Sequence, residues 1–129
     1  MKQLVGIILT ILFVNLWSTL SVASPQACKY VSEGAVQQSW KKIRIQGITG
    51  DFLAGADNFS EALSMGQSLT EEQVCVPQVQ DCRMASEGIV GGVWMKHRIQ
   101  MDRDMVFGAD DIASALRHLS ALRRLGYCQ

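Results

Sequence analysis

Ile45-Gln46-Gly47-Ile48-Thr49-Gly50-Asp51-Phe52-Leu53-Ala54-Gly55-Ala56-Asp57-Asn58-Phe59-Ser60-Glu61-Ala62-Leu63, followed by Val74-Cys75-Val76-Pro77, is the best patterned stretch of the 129-residue chain. Ile45, Ile48, Phe52, Ala56, Phe59 and Leu63 recur at steps of three or four, which predicts a helix with one apolar face. Asp51, Asp57, Asn58, Ser60, Glu61 and Ser64 occupy the other side. Gly47, Gly50 and Gly55 would each cost about 1 kcal/mol inside an exposed helix, so another backbone is expected to pass close to them.

Working outward, a first helix is expected from near Cys28 or Tyr30 to about Lys42, with a bend at Ile45 to Gly50 where glycine permits one. Gly66 reads as the end of the second helix and Val76-Pro77 as the start of a third, which runs on through Val79 to Met101. Asp110 or Asp111 caps a last helix with the stripe Ile112, Ala115, Leu116, Leu119, Leu122 and Leu125. Arg123 and Arg124 suit its C-terminal dipole and Gly126 stops it. The expected fold is all-α, a small disulfide-stapled bundle of about four helices.

Residues 1–23 read as a cleaved signal peptide: Lys2 supplies the positive start, Leu4 to Leu20 the apolar core, and Ser21-Val22-Ala23 the small residues at the cut. Residues 24–129 then form a single domain, soluble and periplasmic, with no membrane attachment after cleavage. Lys2 leaves with the leader, so the mature chain carries 11 basic against 12 acidic residues, a balance that argues against a nucleic-acid partner. Cys28, Cys75, Cys82 and Cys128 are an even set behind an export signal and imply two disulfides. Helix ends gathered at one pole favour Cys75 with Cys128 and Cys28 with Cys82, although all three pairings are open.

No catalytic constellation stands out, and no enzyme activity, cofactor or metal is expected. His97 and His118 sit beside basic neighbours on wet helix faces, and Asp102, Asp104, Asp110 and Asp111 lack the spacing of a calcium loop. Asn58-Phe59-Ser60 matches a glycosylation sequon but falls within a patterned helix. A stapled body without an active site suits protein binding. The loop Asp102 to Gly108, with Asp102, Arg103, Asp104, Met105 and Phe107 as contact residues, is the expected interface, since charged rim residues beside an aromatic suit one.

Gly50-Asp51-Phe52-Leu53-Ala54-Gly55-Ala56-Asp57, Val74-Cys75-Val76-Pro77 and Gly126-Tyr127-Cys128 resemble the Rap/Tai immunity proteins of type VI secretion systems. The resemblance implies an exported helical immunity protein, often dimeric, that neutralises a peptidoglycan amidase by pushing a loop into its catalytic cleft; by position that loop is again Asp102 to Gly108. The alternative is a periplasmic adaptor of a conjugation or secretion apparatus. An acid-stress chaperone is a third reading, against which the chain's two histidines offer little for a pH switch to act on.

Overall fold

The computed structural model describes residues 24–129; the expected export leader lies outside them. The expected four-helix bundle is overturned, because the described residues form mainly strands with two helices. The chain runs through β1 (Gln26–Val31), β2 (Gly34–Val36), β3 (Ser39–Lys41), β4 (Ile43–Gly47), β5 (Phe52–Ala56), helix α1 (Phe59–Glu71) and β6 (Cys75–Pro77). It continues as β7 (Cys82–Ala85), β8 (Gly88–Val90), β9 (Val93–Met95), β10 (His97–Met101), β11 (Asp104–Ala109) and helix α2 (Ile112–Leu125).

These elements are one plan used twice. Strands β5-β4-β1-β6 form one sheet and β11-β10-β7 a second, while β2-β3 and β8-β9 are separate hairpins. The sequence repeats with the structure. Ser32-Glu33-Gly34 returns as Ser86-Glu87-Gly88, Trp40 as Trp94, Arg44-Ile45-Gln46 as Arg98-Ile99-Gln100, and Gly55-Ala56-Asp57 as Gly108-Ala109-Asp110. Even the parallel pairing recurs: Gln26 opposes Cys75 in the first half, and Gln80 opposes Cys128 in a single bridge of the second.

Each disulfide closes its own half, Cys28 to Cys75 and Cys82 to Cys128, across sequence separations of 47 and 46. This corrects the pairing favoured from helix ends, since the helices that gathered those ends do not exist. Loops of that length give each bridge roughly 4 kcal/mol in the chain-entropy account.

The true periodicity of the opening stretch is two. Ile43, Ile45 and Gly47 are buried while Arg44 and Gln46 between them are not, as one face of a strand requires. The glycines mark a turn and a close approach. Gly50 adopts φ +88° in the β4–β5 turn, where its N–H donates to the Gly47 carbonyl at 3.0 Å. Gly55 lies beneath the Lys41 stem, so the close neighbour is a hairpin side chain rather than a helix. Helix α1 starts only at Asn58, whose side chain accepts from the Glu61 N–H at 2.9 Å.

The other expected helices divide similarly. Cys28 to Lys42 becomes β1 and the first hairpin, and Val79 to Met101 becomes β7, the second hairpin and β10. The last helix is found as expected, with Asp111 as N-cap and Gly126 left-handed at its end. Gly66 does not end α1 but sits buried within it, leaving room for the Tyr30 hydroxyl. That hydroxyl donates to the Ala62 carbonyl at 2.9 Å. Around it Tyr30 packs edge-on to Phe107 at 5.3 Å and tilts against Tyr127 at 4.5 Å, while Phe59 meets Phe107 at 4.9 Å. The core therefore joins the two halves. Burial pushes the Tyr30 and Tyr127 phenols up from their ordinary pKa values.

Candidate binding surface

Each hairpin folds back over its own sheet. In the first, Val36 and Lys41 lie against Gly55, while Arg44 sits by Gly34 and donates Nε–H to the Ser32 carbonyl at 2.8 Å. In the second, Met95 covers Gly108, and Arg98 sits by Gly88 and donates to the Ser86 carbonyl at 2.7 Å. The two-residue tips, Gln37-Gln38 and Gly91-Gly92, all have positive φ, as tight hairpin turns demand.

Alternation along the ribbons decides what faces water. With Val36 and Lys41 turned inward, Ala35 and its cross-strand partner Trp40 point away; Ile89 and Trp94 do the same in the second half. Trp40 is 65% exposed, Trp94 59% and Ile89 60%. The residue that follows the first ribbon meets the tip of the second. Trp40 is two residues before Lys42, whose Cβ lies 3.1 Å from where a Cβ on Gly91 would stand, three residues before Trp94.

Between the halves this approach leaves a seam cavity of about 310 Å³. Ile43 and Phe59 come from the first half, Val90, Val93 and Met95 from the second hairpin, and Val106 and Phe107 from β11. Lys42, Asp57 and Asn58 are its polar lining. Asp57 faces the Lys41 ammonium at 3.9 Å and the Asn58 side chain caps α1. Behind the cavity wall, His118 stacks on Phe59 at 3.7 Å with its Nδ1 buried and unpartnered. Burial, seconded by the Arg117 charge, holds this imidazole below its ordinary pKa.

The expected contact residues part company. Asp102 and Arg103 form the β10–β11 turn and, with Asp104 at the start of β11, line an open polar cleft with Lys29, Gln80 and Asp81. Asp102 is already engaged there, accepting from the Asp81 N–H at 3.0 Å and from Gln80 Nε2 at 3.2 Å. Met105 is half-buried, and Phe107 is 1% exposed within the aromatic core, beyond a partner's reach. Among the described residues no group of three or more His, Cys, Asp or Glu side chains is placed to hold a metal ion, and no described helix is long and apolar enough to cross a membrane.

Helical spacing counts both tryptophans among the apolar positions of the expected first and third helices, whereas the repeat singles them out: Trp40 and Trp94 follow Ser-Glu-Gly at the same distance in both halves. Compared with protein-family models, curated proteins and solved structures, the chain matches none.

Proposed function

We propose that this is a non-catalytic protein-binding factor of the periplasm, which docks through the outward faces of its twin hairpins. The observation that carries the reading is the recurrence of an outward, mostly exposed tryptophan at equivalent places in both halves. Of the residues the halves share, Cys28 and Cys82 crosslink, Gly34 and Gly88 admit an arginine, and Ile45 and Ile99 fill the core. Trp40 and Trp94 have no such packing role. A large, rigid indole is a typical interface anchor, and two carried by one stapled body let a partner that spans both engage the second at high effective concentration.

Two disulfides suit an oxidising compartment, and the periplasm is the one that the leader over residues 1–23 supplies. A peptidoglycan amidase is the partner implied by the Rap/Tai resemblance, with a component of a conjugation or secretion machine as the alternative. The helical fold implied by that resemblance is not this one, because Gly50–Asp57 spans a turn and a strand. The hairpins accordingly replace the Asp102–Gly108 loop as the docking element.

The test uses oxidised residues 24–129 beside a Trp40→Ala/Trp94→Ala variant. Proteins retained from periplasmic extract are quantified by mass spectrometry, and the complex is rebuilt from purified parts, with amidase activity assayed when the partner is an amidase. A defined stoichiometry with the original chain, and loss of affinity of a hundredfold or more in the variant, is expected. Equal retention by both proteins, or binding only to peptidoglycan, overturns the proposal.

A further inference from the structure

Repeat counterparts of the seam-lining residues differ in polarity. Where the first hairpin carries Gln37, Ser39 and Lys41, the second carries Gly91, Val93 and Met95. All three changes remove a polar side chain, and all three positions line the seam cavity. Burial between the halves accounts for only part of this, because Val93 is 40% exposed and the space between hairpin and core stays open. Protein interiors normally close such voids. The volume, about 310 Å³, reaches the range of small-molecule pockets, roughly 300–1,000 Å³.

One cation on the cavity lining has no acidic partner among the described residues. Lys41 is turned to Asp57, whereas Lys42, its stem fixed against the hairpin tip at Gly91, forms no ion pair there. Lys42 is the basic residue of this lining whose charge is not already turned to the lining's carboxylate, Asp57; a lysine reaching an apolar cavity selects an anion with a hydrocarbon body, because the carboxylate gains a charge-assisted hydrogen bond while the chain leaves water.

We propose that the seam is a binding site for an apolar monocarboxylate, with the carboxylate on Lys42 and the hydrocarbon between Phe59, Val93 and Met95. A cavity of ~150 Å³ accommodates benzene; twice that volume takes a body of about eight to ten carbons. The same chemistry is offered by a free medium-chain acid and by the C-terminal residue of a chain ending in a large apolar side chain. This site lies between the halves and is separate from the outward tryptophan faces, so it does not rest on the proposed function.

The experiment titrates oxidised residues 24–129 by calorimetry with n-decanoate, n-decanol, and an acetylated Leu-Phe dipeptide as free acid and as amide. Decanoate is expected to bind one to one, with Lys42→Met weakening it at least tenfold and leaving decanol unchanged. Val93→Trp, which fills the mouth, should abolish binding of both. Tighter binding of the dipeptide acid than of decanoate assigns the site to a chain terminus, and the reverse to a free acid; both keep the proposal. Absence of saturable decanoate and dipeptide-acid binding, or acid affinity unmoved by Lys42→Met, overturns it. Lys42 is exposed, so that variant keeps the test decisive should Val93→Trp fail to fold. Trp40→Ala/Trp94→Ala should leave decanoate binding intact, which separates failure here from failure of the proposed function.

Discussion

The two halves share a chain trace, a disulfide and a hairpin, yet they divide the work of the core unequally. Phe107 reaches the centre from the second half, where the first has Ala54 at the matching place; Tyr30 does so from the first, where the second has Met84. Each half therefore supplies a ring that the other lacks, and Tyr30 against Phe107 is where they meet. The duplicated frame supplies geometry, while the differences between its copies make one folding unit of them.

Replacing Phe107 by Ala, the first half's own residue, is the severest way to break this complementarity. It removes a ring in contact with both Tyr30 and Phe59 and is expected to cost about 3–5 kcal/mol, read as a drop in the urea midpoint. A smaller effect comes from the twin arginines. Arg44→Met and Arg98→Met each lose the bond to the serine carbonyl, but only Arg44 also lies over an aromatic ring, Phe52, at 3.8 Å. We expect about 1–2 kcal/mol at Arg44 and about half that at the more exposed Arg98, by the same measurement. Equal losses would show that stacking on Phe52 adds nothing.

A third comparison concerns His118, which stands where the first half has Met65. Its imidazole is held below the ordinary value of 6.5 by burial, so the unfolded chain binds the proton more readily than the folded one. Stability from this group is complete above about pH 6.5 and is lost as pH falls through the lower folded value. His118→Met, which copies the first half, should flatten the fall in thermal midpoint over that window. The Asp111 carboxyl, lowered by its bonds to Ser114, acts only at more acid pH. An unchanged slope in the variant would remove His118 as the cause.

Several of these relations were readable before any coordinates. The even cysteine set, the leader pattern and the last helix with Asp111 and Gly126 are local signals; two disulfides and that helix match the described structure, while the favoured cysteine pairing does not. The strands imitate a helical pattern for a physical reason. Ile45, Ile48, Phe52 and Ala56 fall at helical spacing only because a turn separates two short strands, and strands of three to six residues leave little room for a period of two to register. The glycines were the better guide, since three in an exposed helix would be costly while one in a turn and one under a lysine stem are favourable. The duplication is legible as well, because Ser-Glu-Gly, the tryptophan and Arg-Ile-Gln recur in order, although a repeat alone does not distinguish strand from helix. Phe107 could not be placed from sequence alone, since its burial depends on a strand register.

The smallest expected effect on stability falls at the two tryptophans. Trp40→Ala and Trp94→Ala, singly, should shift unfolding by no more than about 0.5 kcal/mol, as for surface positions without a structural task. Their effects on the partner complex should differ. Trp94 stands opposite Ile89, and Trp40 opposite Ala35, so the second hairpin offers the larger apolar face. Truncating Trp94 should therefore raise the dissociation constant more than truncating Trp40, and Ala35→Ile should narrow the gap by giving the first hairpin the second's neighbour. Surface plasmon resonance on the rebuilt complex decides this. Identical losses at the two positions would mean that the partner reads the indoles alone, and a gap that persists in the Ala35→Ile background would place the asymmetry elsewhere in the hairpins.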